Sequence, residues 1–263
     1  ALLLPTSTPI YVLVLAVAVG VYAGKIVFGG YGYYIFNPAL VGVLFANISF
    51  KSFITYGNTP LVQLKGVLSG DSLNFNLVDL FIGNYDAIAI GSTSVLILFV
   101  LFIYLLITKV IDIRISGVFV GSVLLISLII GYINFGAGMW SYMIVNVVTG
   151  LTMFAAVFLV GESVSSPTSR ETKWIYAVIV AVMTMLVRVV GDAFEGVVFA
   201  ILLGNMLTPF LNRAVTRSNR KTALKTSISL VVVVLLTGVI LGFILQGRLI
   251  EVFNAALMIG GGF

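Results

Sequence analysis

Residues 141–168 read SYMIVNVVTGLTMFAAVFLVGESVSSPT. The run over 141–161 is apolar and about as long as the roughly 20 residues a helix needs to cross about 30 Å of hydrocarbon. At Gly161-Glu162-Ser163-Val164-Ser165-Ser166-Pro167-Thr168 it dissolves into hydroxyls around a proline. Segments that are short, or interrupted by Pro and Gly, are a mark of half-helices and re-entrant loops lining a cavity in transporter folds.

Working outward, the rest of the chain has the same character. Of its 263 residues, 60% are hydrophobic and 9% charged, against about 25% charged in soluble domains; the mean hydropathy is +1.21. The reading is an all-α polytopic membrane protein, one transmembrane domain over 1–263. Eight hydrophobic segments are expected: 9–28, 34–50, 87–108, 115–133, 141–161, 174–190, 196–212 and 226–246. One or two are expected not to cross fully. The tail 247–263 is expected to be a partial helix, and 51–86 a structured polar loop. Ala1-Leu2-Leu3-Leu4-Pro5 lacks a basic region, which looks less like a signal peptide than like a chain whose start is missing.

The chain has no Cys and no His. That removes disulfides, thiolate sites and the commonest metal ligand and acid–base group. No metal site and no catalytic side chain is read from the sequence. Chemistry falls to carboxylates, hydroxyls, Lys, Arg, backbone or a bound cofactor.

Lys and Arg set the orientation. With alternating spans, one side receives Lys25, Lys109, Arg114, Arg170, Lys173, Arg213, Arg217, Arg220, Lys221 and Lys225. The other receives Lys51, Lys65, Arg188 and Arg248. The first side is therefore read as cytoplasmic, with 51–86 outside. The basic run from Arg213 to Lys225 is a positive-inside loop rather than a nucleic-acid site.

Polar groups inside the membrane are costly and mark function or internal pairing. Three clusters stand out: Gly29-Gly30 with Phe36-Asn37-Pro38-Ala39; Glu162 to Thr168, including Ser166; and Arg188 to Gly196, with Asp192 and Glu195, leading into Asn205 and Pro209. Most of the small residues serve helix packing. Glu162, Ser166, Thr168, Arg188, Asp192, Glu195 and Asn205 are the ion-pathway or cavity candidates. Arg188, near the end of an apolar run, either pairs inside the bundle or snorkels to its interface. A pair with Glu195, and a polar cavity shared with the Glu162 to Thr168 segment, is the expectation on the first branch.

The order of several short motifs carries a family resemblance. Phe36-Asn37-Pro38-Ala39, Tyr56-Gly57-Asn58-Thr59-Pro60-Leu61, Leu80-Phe81-Ile82-Gly83-Asn84, Gly91-Ser92-Thr93-Ser94, Ile111-Asp112-Ile113-Arg114, Ser165-Ser166-Pro167-Thr168 and Glu195-Gly196-Val197 follow one another. Together they resemble the family of the D subunit of Rnf-type electron-transport complexes and its relative, the B subunit of the sodium-pumping NADH:quinone oxidoreductase. The resemblance runs from about residue 2 to 213.

It implies a urea-transporter-like helical bundle with inverted repeats and half-helices, in which Leu4 to Pro9 and Ser165 to Thr168 are repeat-related breakpoints. Members usually begin with further hydrophobic helices, so helices upstream of Ala1 are implied. It implies FMN joined through its phosphate to Thr59, with Gly57, Asn58 and Pro60 around it. Here Tyr56 and Asn58 stand where the family motif has Ser and Ala. Glu162 stands for an Asp, Ser163 for a Pro, and Ser92 for a Glu. A second, non-covalent flavin (riboflavin) among the helices is also implied. So are a flavin transferase, partner membrane and peripheral subunits, Na⁺ or H⁺ coupling, and a multi-pass place in the inner (cytoplasmic) membrane. Two other classes stay open: a solute or flavin transporter or channel on the same fold without redox work, and a structural scaffold.

Overall fold

The structure, a computed structural model, describes residues 2–54, 77–83, 89–191, 196–214 and 220–260. All regular elements among them are helical. We number them α1 (Ile10–Ile26), α2 (Pro38–Ser49), α3 (Leu77–Ile82), α4 (Val95–Ile107), α5 (Ile113–Phe135), α6 (Met139–Val148), α7 (Thr152–Leu159), α8 (Arg170–Val190), α9 (Gly196–Ala214) and α10 (Arg220–Gly260).

Among the described residues four helices are long and apolar enough to cross a membrane: α5, α8, Gly196–Arg213 of α9 and Ile228–Arg248 of α10. The pair α6–α7 passes the same test but is bent by 55°. Each of the eight expected segments is thus helical, and three, α1, α2 and α4, are short. At 1.5 Å per residue the 12 residues of α2 reach only about 18 Å, well under the hydrocarbon thickness. The run 141–161 is two helices rather than one span. Thr149 is extended, Gly150 takes a positive φ of 69°, and the helix resumes at Thr152. The tail continues the last helix without a break to Gly260.

Helix starts follow their caps. The second segment begins at Pro38, four residues later than expected, because the Asn37 side chain accepts from the Ala39 N–H (2.9 Å) and the Leu40 N–H (3.4 Å). Proline at the first position loses nothing, since its N–H would have no helical partner. Asp112 caps α5 by accepting from the Arg114 N–H at 3.1 Å. Ser169 caps α8 through the Thr172 N–H at 3.4 Å. The third segment starts at Val95 rather than 87, since Ile90–Ser92 form a 3₁₀ turn among hydroxyl residues.

α5 lies at the centre, packed on α6, α8 and α10. Phe119, Val123, Ile126 and Ile130 form its fully buried stripe. α1 pairs with α2, and α8 with α9; α2 also touches α9. Leu4 to Pro9 and Ser165 to Thr168 are both non-helical and lead into α1 and α8 respectively. The backbone of the first of these stretches is held by Gly91 N–H to the Leu2 carbonyl (2.8 Å) and Ile90 N–H to the Leu4 carbonyl (3.3 Å).

Candidate functional site

α1 and α7 each end in a π-helical turn, Tyr22–Ile26 and Ala155–Leu159. Such turns recur at functional sites. The two polar connections that follow them meet. In the first, Gly29, Gly30 and Gly32 all have φ near +100° (104°, 96° and 93°), a region that L side chains avoid. This turn brings the buried Tyr34 against the second connection. Its hydroxyl donates to Glu162 Oε1 at 2.6 Å, while the Ser165 hydroxyl donates to Glu162 Oε2 at 2.8 Å. No Lys or Arg pairs with Glu162 among the described residues. A carboxylate fed by two hydroxyls and by no fixed cation among the described residues is open to a mobile cation.

α9 closes the site from behind. Thr208 Oγ1 donates to the Ser165 carbonyl at 3.1 Å. One turn earlier the fully buried Asn205 lies 2.8 Å from the Tyr176 hydroxyl. Its amide is satisfied with the nitrogen on Tyr176 and the Ile201 carbonyl (3.3 Å) and the oxygen on the Asn37 N–H (3.2 Å). Hydrogen-bond networks set that assignment. The α2 N-terminus, the Glu162 connection, α8 and α9 therefore converge through Asn37, Glu162, Tyr176 and Asn205.

Arg188 belongs to a second polar centre. It is 8% exposed, and its guanidinium donates to the Asn146 carbonyl and to Thr152 Oγ1, both at 2.6 Å. These acceptors flank the α6–α7 bend, so α8 holds the broken helix in place through one side chain. Arg188 and Tyr176 are twelve residues apart on α8, about 18 Å along the axis. Glu162 and Arg188 thus take different partners near opposite ends of one helix. Arg188 turns inward rather than snorkelling. Asp192 and Glu195 lie outside the described residues, as do Gly57, Asn58, Thr59 and Pro60.

Ser166 and Thr168 line a cleft of about 730 Å³ with Lys109, Asp112, Arg114 and Lys173. Lys173 Nζ meets Asp112 Oδ2 at 2.7 Å. Burial alone would raise the Asp112 carboxyl, but the Lys173 hydrogen bond, the Arg114 N–H and the two nearby cations hold it below the ordinary range. Lys25, Lys109, Arg114, Arg170, Lys173 and Arg213 gather at the end of the bundle that holds Glu162. Arg248 lies at the other, donating to the Val189 and Val190 carbonyls at 3.2 and 2.8 Å.

Tyr34, Asn146, Thr152 and Tyr176 escaped the sequence reading. Thr149-Gly150 inside an apolar run was the available signal for the bend. Nothing marked Tyr34 among its tyrosine neighbours.

The model of the NQR2, RnfD, RnfE family matches residues 1–221. The B subunit of the Na(+)-translocating NADH-quinone reductase from Ectopseudomonas mendocina (strain ymp) is 33% identical over 247 residues, covering 87% of this chain and 60% of that protein. Its counterpart of the same name from Chromohalobacter salexigens is 32% identical over 243 residues, 86% of this chain and 58% of that protein. The chain spans about three fifths of the length of these relatives. The match takes in every element from α1 to α9, both polar centres and the capped starts of α2, α5 and α8, and on it this multi-pass membrane protein belongs to the NQR2, RnfD, RnfE family.

Proposed function

We propose that the chain is the flavin-carrying membrane subunit of an ion-translocating electron-transport complex of the Rnf or Nqr type. What supports this reading is family membership over residues 1–221, together with the resemblance of Tyr56-Gly57-Asn58-Thr59-Pro60-Leu61 to the family's flavin-attachment motif. FMN is joined as a phosphoester to the Thr59 hydroxyl, with Gly57, Asn58 and Pro60 beside it in the sequence. Bound flavin supplies one- and two-electron transfer, and the protein's part is to hold and tune it. Two structural observations support the placement. α2 runs away from the Lys25 end of the bundle, and the chain enters residues 55–76 from the Lys51–Phe53 turn at the opposite end. On this reading a flavin transferase acts from that outer end. A second, non-covalent flavin is carried within the helices.

Ion coupling uses this chain's own carboxylates. Glu162, held by Tyr34 and Ser165, is positioned to exchange a proton or bind Na⁺ transiently at the cationic, cytoplasmic end. Asp192 and Glu195 are its counterparts from the connection before α9. The complex resides in the inner (cytoplasmic) membrane with its partner membrane and peripheral subunits.

Thr59→Ala is expected to abolish covalent flavin when each chain is coexpressed with a flavin transferase. Wild type should fluoresce on a denaturing gel and be heavier than the variant's own polypeptide mass by one esterified FMN. A wild-type chain with no flavin adduct sinks the attachment. Flavin that is bound but fully extractable would favour a flavin transporter, and a colourless protein a pore or scaffold.

The orientation is checked separately, because the chain has no cysteine of its own. An impermeant thiol reagent on whole cells should label Asn74→Cys and spare Ser218→Cys. The reverse pattern would invert the topology.

A further inference from the structure

We propose that the cleft between the end of α4, the start of α5 and the Gly161 to Thr168 connection binds a phosphate ester. The proposal does not depend on the redox reading. Three cations, Lys109, Arg114 and Lys173, line the cleft against one carboxylate, Asp112, and Lys173 already engages that carboxylate at 2.7 Å. Lys109 and Arg114 have no carboxylate partner among the described residues. Hydroxyls of Ser163, Ser166 and Thr168 line the facing wall. Glu162 is turned elsewhere, to Tyr34 and Ser165.

Both long helices that begin here, α5 and α8, add the positive ends of their dipoles, which favour anions.

Lys109 has a φ of 57°, the chain's one positive value outside glycine among the described residues. At a helix C-terminus this position favours Gly, yet it carries a cation facing the cleft. On the outer rim Ile107, Val110 and Ile113 are 74%, 71% and 60% exposed. Charge inside with apolar surface beside it suits an anionic phospholipid, whose headgroup phosphate enters while its chains lie on the rim. A soluble phosphate ester shares the headgroup chemistry and leaves the rim unused.

The full chain in detergent micelles, titrated with phosphatidylglycerol, phosphatidylcholine or inorganic pyrophosphate, separates these sources by native mass spectrometry and melting temperature. One tightly held phosphatidylglycerol per chain is expected, preferred over phosphatidylcholine. Arg114→Gln and Lys109→Gly should each weaken it about tenfold, the loss of one charge-assisted hydrogen bond. Lys109→Gly also relieves the backbone, so its fold should be retained. Arg170→Gln, a cation at the same end but outside the cleft wall, should change nothing. Binding of pyrophosphate with no phosphatidylglycerol preference, lost in the same two variants, assigns the site to a soluble phosphate ester. The proposal is overturned if neither anion binds, if Arg170→Gln loses as much, or if Arg114→Gln and Lys109→Gly both bind as wild type does.

Discussion

Arg188→Met is expected to destabilise the protein by about 3 kcal/mol or more. The replacement is similar in length and apolar, so it leaves little void. What it removes includes two charge-assisted hydrogen bonds of 2.6 Å, to the Asn146 carbonyl and to Thr152 Oγ1. Interhelical hydrogen bonds in membranes average only about 0.6 kcal/mol, because the unfolded chain in lipid also finds partners. Here three facts push the cost higher. The donor is charged, the site is buried, and the acceptors lie at the 55° break where the backbone has lost part of its helical pairing. Thr152 Oγ1 also donates to the Asn146 carbonyl at 3.2 Å, so that carbonyl keeps one partner. Thr152→Val should therefore cost about 1 kcal/mol, much less than loss of the arginine. Arg188→Lys, a point charge without the two-pronged fork, should fall between them. Thermal melting of folded protein in detergent reads all three. An Arg188→Met variant that melts with wild type would show that the bend stands without this side chain.

The second large effect is at the crossing of α1 and α2. A Cβ on Gly20 would stand 2.6 Å from the Pro38 carbonyl oxygen and 3.1 Å from the Gly42 Cα. Both neighbours are backbone, so no rotamer change makes room. Gly42 is equally tight on the other side, facing the Ala16 carbonyl. Small residues of this kind let membrane helices approach closely. Gly20→Ala should cost about 1–3 kcal/mol through overpacking, and Gly20→Val more. The double variant Gly20→Ala with Gly42→Ala should cost less than the sum of the two, since one separation of the helices relieves both clashes. The consequence reaches the site. α2 carries Asn37 at its start, and Asn37 N–H meets Asn205. Parting α1 from α2 should therefore loosen Tyr34 and Glu162 as well, read as faster hydrogen exchange at the amides of residues 33–37. Full-strength packing in Gly20→Val, with an unchanged melting temperature, would refute the close crossing.

Composition and local pattern settle the solvent and the class before any contact is known. An apolar fraction of 60% with 9% charge excludes a water-exposed globule, and eight apolar runs make eight helical segments, because an unpaired backbone amide in lipid leaves the chain no other local choice. The capped starts were missed, the segments being expected from 34 and 115, although Asn37-Pro38 and Asp112 act within a few residues of themselves. Glu162, Arg188 and Asn205 stood out because polar groups in apolar runs need a reason to be there. Partners were a different matter. Tyr34 and Glu162 are 128 residues apart, Arg188 and Thr152 36, Lys173 and Asp112 61. No periodicity links such positions, and only the packing of α1 on α2, α2 on α9, α9 on α8 and α8 on α5 brings them together. Alternating spans already put Glu162 and Arg188 on opposite sides, and the packed bundle keeps them at two centres with partners that no local pattern names. Each is fixed near a different end of α8, and a helix has a definite rise per residue that no side chain can shorten.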